Sequence, residues 1–142
     1  TGVGEEYIWL EDESQRIGTV NIPQPMWENM KQSTLVFLNL PFDKRLDNLV
    51  ATYGRLDRSQ LTAAISRLQK KMGGGETKQA INHLLEGNVK HSFDVLLRYY
   101  DRLYSKALNK KRGNLAYFYF LNFPEIDPLK QASVLRNLMK NG

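Results

Sequence analysis

Hydrophobic positions along this chain fall into two patterns: short unbroken apolar runs, and longer rows that recur every three or four residues. The runs are three. Tyr7-Ile8-Trp9-Leu10 ends abruptly in Glu11-Asp12-Glu13-Ser14, and Thr34-Leu35-Val36-Phe37-Leu38-Asn39-Leu40 is closed by Pro41. Leu115-Ala116-Tyr117-Phe118-Tyr119-Phe120-Leu121 follows a Gly113-Asn114 turn and stops before Pro124. β-Favouring content and turn residues at both ends predict strands near 7–11, 34–40 and 115–121. Continuous rather than alternating hydrophobicity marks strands covered on both faces, as in a parallel sheet.

The rows predict helices. After Pro23 and Pro25, residues 26–31 form a short one with Trp27 and Met30 on its apolar side. Asp43 can cap the next, which carries Leu46, Leu49 and Val50 to Tyr53-Gly54. Asp57 followed by Gln60 resembles a capping box, and Leu61, Ala64, Ile65, Leu68 and Met72 then recur at helical spacing until Gly73-Gly74-Gly75 makes an interhelical turn. Ala80, Ile81, Leu84 and Leu85 define another helix ending at Gly87. Asn88 caps the longest, running to about Lys110 with Val89, Phe93, Leu96, Leu97, Tyr100, Tyr104 and Ala107 as its buried stripe. Asp127-Pro128 opens the last, with Leu129, Ala132, Leu135 and Leu138 inward.

Strands separated by helices imply an α/β fold with parallel pairing and right-handed crossovers. About three strands are few for such a sheet, because its outer strands leave backbone unpaired. The expectation is therefore one partial domain over 1–142, with an incomplete parallel sheet and a helical subdomain over 55–112 between the second and third strands. An incomplete sheet should repair itself by homodimerisation through exposed strand edges, by pairing the strand at 7–11 with that at 34–40, or by local disorder near the N-terminus.

Composition sharpens this. There is no cysteine, which excludes disulfides, thiolate metal sites and a cysteine nucleophile within these residues. His83 and His91 have no third ligand nearby, so a zinc site is not expected. Apolar runs are far shorter than the roughly 20 residues a membrane helix needs, so no membrane span is expected. Five of the 15 acids precede the first base, leaving the rest of the chain with 20 bases against 10 acids. Such a field draws phosphate-rich partners without choosing among their sequences.

Ligands of open α/β sheets bind beyond the carboxyl ends of the strands, which directs attention to the acids after Leu10. Asp12 or Glu11 could hold magnesium through oxygen ligands, or the acids could form a solvated turn. Arg16 nearby could contact an anion. Arg45, past the second strand, could reach a ligand at the sheet's carboxyl edge or pair with a neighbouring acid. Arg98, Arg102, Lys106 and Lys110 stand at four-residue steps with Tyr99 beside them, a basic row suited to an RNA backbone. The alternative pairs Asp94 and Asp101 with Arg98 on a solvated face. A phosphate-binding G-x-x-x-x-G-K-[ST] run is absent from these residues.

Three segments together resemble one family. Ile8-Trp9-Leu10-Glu11-Asp12-Glu13-Ser14-Gln15-Arg16-Ile17-Gly18 with Ile22-Pro23 is similar to the acid-bearing segment of bacterial tRNA 2-selenouridine synthases. Leu40-Pro41-Phe42-Asp43-Lys44-Arg45-Leu46 and Leu96-Leu97-Arg98-Tyr99-Tyr100-Asp101-Arg102-Leu103-Tyr104 resemble later blocks of that family, in the same order. The resemblance runs from about Glu5 to Lys111. It implies a cytoplasmic parent enzyme with an N-terminal rhodanese-like domain bearing a reactive cysteine, followed by a phosphate-loop domain. That enzyme would replace sulfur by selenium in wobble 2-thiouridine of tRNA, with selenophosphate as donor and a geranylated intermediate. On this resemblance the chain is the C-terminal half of a P-loop NTPase-like domain, and Asp12 matches the acid after the inner strand. With the rhodanese-like and phosphate-loop segments missing, the chain alone would hold no cofactor and be inactive. The competing expectation is a noncatalytic helical module that binds protein or RNA.

Overall fold

The computed structural model describes residues 7–112 and 118–140. It is a mostly helical α/β arrangement: β1 (Arg16–Ile17), β2 (Val20–Asn21), α1 (Gln24–Gln32), β3 (Leu35–Asn39), α2 (Phe42–Tyr53), α3 (Arg58–Arg67), α4 (Gln69–Met72), α5 (Gly74–Leu85), α6 (Val89–Arg112), β4 (Phe118–Asn122) and α7 (Pro128–Lys140). The chain divides into two compact units. One comprises Thr1–Phe37, Asn114–Leu121 and Asp127–Gly142; the other comprises Leu38–Gly113 and Asn122–Ile126.

The second unit is helical and holds the core. Leu46 of α2, Leu61 and Ile65 of α3, Ala80 and Leu84 of α5, and Phe93 and Leu97 of α6 form one buried cluster. Phe42, Leu49, Val50, Ile81, Val89, Val95 and Leu96 pack around it. Local chemistry sets the helix limits. Asp57 accepts from the backbone N–H of Ser59 (3.0 Å) and Gln60 (3.3 Å) at the start of α3, satisfying donors that the first turn leaves without partners. Gly73, at φ +94°, takes the chain from α4 into α5 through a conformation that side-chain-bearing residues rarely adopt. Gly74 and Gly75 already belong to α5, so the turn is shorter than the three glycines predict.

α2 begins earlier than its sequence suggests. Pro41, not Asp43, occupies the N-cap position, and Asp43 lies in the first turn, where its charge complements the helix dipole. Burial departs from the predicted rows in places. Ala64, Leu85, Tyr100, Tyr104 and Ala107 are exposed, whereas Tyr99 is buried. On α7 the inward line passes through Gln131, Leu135 and Leu138, leaving Leu129 86% exposed and Ala132 outside. Residues 129 and 131 differ by about 200° around a helix, so the two cannot share a face.

The sheets are smaller than the expected sheet of about three strands. Tyr7–Leu10 and Glu11 form no strand and are exposed, with Ile8 at 83%. A run apolar on both faces gains strand stability only when both faces are covered, and at these exposures they are not. The first strands are instead β1 and β2, an antiparallel hairpin pairing Arg16 with Asn21 and Ile17 with Val20. Gly18, at φ +61°, makes its two-residue turn with Thr19. β3 pairs with β4 rather than with residues 7–11, giving two separate two-stranded sheets. Phe37 and Phe120 stack at 5.1 Å. Asn39 donates its side-chain amide to Asn122 at 2.8 Å, and its carbonyl accepts from the Phe123 N–H at 3.0 Å. Residues 115–117 of the predicted third strand lie outside the described residues.

Candidate functional site

The candidate residues meet where the start of α2 faces the middle of α6. Pro41 ends the segment after β3, and its carbonyl accepts from the Arg45 N–H at 3.1 Å in the first turn of α2. This places the Arg45 side chain back over the strand end, where Nε donates to the Leu40 carbonyl at 3.0 Å. Nη1 and Nη2 bind Asp101 of α6 at 2.7 and 2.9 Å, the two-pronged geometry that matches a guanidinium to a carboxylate. The hydrogen bond that Arg45 donates to Asp101 raises the Arg45 pKa, burial opposes that shift, and the Asp101 charge adds to it.

Phe42, three residues before Arg45, contacts a second guanidinium. Arg98 of α6 lies 4.6 Å from the Phe42 ring centroid and Arg45 lies 5.7 Å from it. Both distances are within cation–π range. Arg98 also binds Asp94 one turn earlier, with Nε at 2.7 Å and Nη2 at 3.3 Å. Asp94 is the first cause of the raised Arg98 pKa. Arg102 reaches across to Glu76 of α5 at 2.5 and 2.7 Å, and Lys90 pairs with Asp47 of α2 at 2.8 Å.

The basic row of α6 is thereby split. Arg98 and Arg102 are matched by acids within the fold, whereas Lys106 and Lys110 are exposed and have no acidic partner among the described residues. Nor is the row one straight face. Each four-residue step overshoots a full turn by about 40°, so the cations wind by about 120° from Arg98 to Lys110. Tyr99 lies at 6% exposure with its hydroxyl buried and without a hydrogen-bond partner among the described residues, so it is not the tyrosine beside the exposed cations. Tyr100, stacked edge-on against it at 5.3 Å, is the exposed one of the pair.

Arg16 and Asp12 belong to the other unit. Arg16 is exposed on β1 and donates to the Gly18 carbonyl of its own hairpin at 3.1 Å. Asp12 is exposed, and no group of three His, Cys, Asp or Glu side chains gathers among the described residues. Among the described residues no helix is long and apolar enough to cross a membrane.

Sequence reasoning missed Phe42, the role of Glu76, and the identity of the acid facing Arg45. The four-residue spacing of Asp94 and Arg98 was a usable signal. The pairing of Asp101 with Arg45 joins two distant segments, and spacing along one helix cannot reveal it.

The fold and this site define a helical α/β domain in which an arginine-rich helix is clamped to the segment after a strand. The family model described as the tRNA 2-selenouridine synthase AAA domain matches residues 2–119, and the chain belongs to that family. The tRNA 2-selenouridine synthase of Marinobacter nauticus is 28% identical, with 76% of this chain and 37% of the relative covered. That of Chromohalobacter salexigens is 28% identical, covering 71% and 36%, and that of Sulfurovum sp. is 25% identical, covering 80% and 39%. The chain thus spans well under half the length of these relatives. No solved structure matches it.

Proposed function

We propose that this chain is the rear part of the phosphate-loop domain of a tRNA 2-selenouridine synthase, acting in the cytoplasm within a longer enzyme. That enzyme replaces sulfur by selenium in wobble 2-thiouridine of tRNA, with selenophosphate as donor. The family match over residues 2–119 carries this reading. The geometry adds support, since Leu40–Leu46 and Leu96–Tyr104, two segments that resemble the family, interlock through Arg45, Asp101, Phe42 and Arg98.

Within this reading the residues divide by task. Arg45 and Arg102 are engaged by Asp101 and Glu76 and tie α2 and α5 to α6, while Arg98 is engaged by Asp94 of its own helix. Lys106 and Lys110 present their charge outward and are the cations of this row that meet tRNA phosphates. Arg16 is a further anion contact on its hairpin. Asp12 contributes one carboxylate to magnesium, the remaining ligands coming from phosphate oxygens and water, as that ion prefers.

The test is nucleoside mass spectrometry. The whole protein carrying this segment, supplied with 2-thiouridine-containing tRNA, a geranyl donor and selenophosphate, should convert sulfur to selenium at the wobble base. The 142-residue chain alone, which has neither cysteine nor a G-x-x-x-x-G-K-[ST] run, should not. A whole protein that binds the tRNA yet leaves the sulfur in place would overturn the proposal.

A further inference from the structure

α5 and α6 form an antiparallel hairpin closed by Glu86-Gly87-Asn88: His83 and His91 stack at 5.4 Å beside the turn, and Glu76 meets Arg102 toward the other end. α3 lies alongside, sharing the core cluster with α5 through Leu61 and Ile65. Its start is at the closed end, where Arg58 donates to the Leu84 carbonyl at 3.3 Å. α4 runs directly into α5 through Gly73. The last turn of α3, the whole of α4 and the second half of α6 are therefore gathered at the open end of the hairpin. With 24 residues against 12, α6 is about 36 Å long and α5 about 18 Å, so α6 outruns its neighbour.

Lys106 and Lys110 lie about 6 and 12 Å along α6 beyond Arg102 and are turned from it by about 40° and 80°. Arg102 reaches Glu76, and α5 extends only about 3 Å past that residue, so both lysines stand beyond the end of α5. The same end of the helical unit carries Arg67 of α3 and Lys70 and Lys71 of α4. All five residues are exposed and without an acidic partner among the described residues. From Arg58 to Ala80 the sequence holds one acid, Glu76, already engaged by Arg102, and from Arg102 to Lys111 it holds none. Charge of one sign gathered from three elements calls for a partner with a dense and extended array of the opposite sign. Aromatic surface is turned elsewhere. Tyr100 and Tyr104 lie roughly 80–160° around α6 from the two lysines, and Tyr99, within about 20° of both, is buried. Cations without a ring beside them to stack a base suit the outward-facing phosphates of paired RNA, whose bases already stack on one another. An acidic protein would need a carboxylate opposite each ammonium on separate elements, whereas a duplex carries phosphates all along both strands.

We propose that this open end holds the backbone of a double-helical RNA arm, with Lys70 and Lys71 of α4 acting together with Lys106 and Lys110 of α6. The surface rests on the tRNA reading above and deepens it, adding α4 to the cations and a paired arm as what they grip. Contact is with phosphates, so binding is indifferent to base sequence.

Fluorescence anisotropy of a blunt RNA duplex, titrated with the whole protein carrying this segment over a range of KCl concentrations, tests it. Lys70→Gln/Lys71→Gln and Lys106→Gln/Lys110→Gln should each weaken binding about tenfold and lower the salt slope by roughly 2. Lys70→Arg/Lys71→Arg keeps the charge and should bind as the parent does. So should Arg55→Gln/Lys90→Gln, which removes two charges toward the closed end, where Lys90 opens α6 and Arg55 precedes Arg58. Equal melting temperatures of the variants and the parent confirm that folding is intact. Unchanged affinity in the Lys70→Gln/Lys71→Gln variant overturns the surface, as does an equal loss in the closed-end variant or a loss in the arginine variant. Weaker binding of the Lys70→Gln/Lys71→Gln variant to vesicles of phosphatidylserine and phosphatidylcholine, with duplex affinity unaltered, would assign this end to a membrane surface instead. The duplex contains no 2-thiouridine, so these outcomes are independent of selenium transfer and the assay of the whole enzyme stands or falls separately.

Discussion

Arg45 uses all three of its guanidinium nitrogens inside the protein, one on the Leu40 carbonyl and two on Asp101. A lysine there could offer a charge but not the flat pair of donors, so Arg45→Lys should behave more like a loss than a conservative change. With the side chains of Arg45 and Asp101 29% and 38% exposed, water screens part of the attraction. The coupling between Arg45→Ala and Asp101→Ala, measured by a double-mutant cycle of urea melts, should therefore be about 1 kcal/mol. Coupling near zero would show that the pair is ornamental. Ser92 presents the opposite case. It is fully buried on α6 and its hydroxyl finds no hydrogen-bond partner among the described residues. Removing an unsatisfied buried hydroxyl relieves a desolvation cost, and alanine also favours the helix. Ser92→Ala should raise stability by about 1 kcal/mol in the same melts, the reverse of most core truncations.

At the scale of elements, α3 shows how one side chain fixes a boundary and makes it sensitive to acid. The Ser59 hydroxyl and the Gln60 N–H, donating to Asp57, hold its pKa below the ordinary aspartate value. A carboxylate with a depressed pKa in the folded state adds stability that is full above the unfolded value and disappears as pH falls through the folded one. Asp57→Ala should thus lower the melting temperature at pH 7, and its gap from the parent chain should shrink as the pH is taken into the acid range. A gap independent of pH would mean that the cap does not act through its charge. This cap was readable from Asp57 and Gln60, as were α5, α6, α7 and β3 from their apolar spacing, because those signals are local. The β1–β2 hairpin was missed although Gly18-Thr19 is a usable turn signal, since a two-residue strand has too few side chains to show alternation. The strand expected at residues 7–11 rested on composition alone, and composition does not supply the neighbours a strand requires. The exposure of Tyr100 and Tyr104 was hidden for a related reason: periodicity reports which face is apolar, not how far the covering helix extends. At the site, the individual cations were legible, but their division into engaged arginines and lysines without an acidic partner among the described residues depends in part on Glu76, brought in by α5.

On the scale of the whole molecule, burial is divided unevenly between the two units. Every hydrophobic residue in the buried set, from Leu46 through Phe123, belongs to the unit formed by Leu38–Gly113 and Asn122–Ile126. In the other unit, among the described residues, Gln131 alone falls in the buried class, and Ile8, Ile17, Val20 and Leu129 are each more than 60% exposed. Apolar burial at roughly 25 cal/mol per Å² is the main force opposing chain entropy, so resistance to opening should follow the same division. Hydrogen exchange read by mass spectrometry should find the slowest amides in α2, α3, α5 and the first half of α6, approaching the rate set by global unfolding. Amides of β1, β2, α1 and α7 should exchange faster by at least about a hundredfold, because local opening there exposes little new apolar surface. Addition of the segments that the longer relatives possess should slow exchange in that weaker unit if its exposed apolar residues are covered in the intact enzyme. Uniform protection across both units of the isolated chain would contradict this division and would require a stabilising source other than buried apolar area.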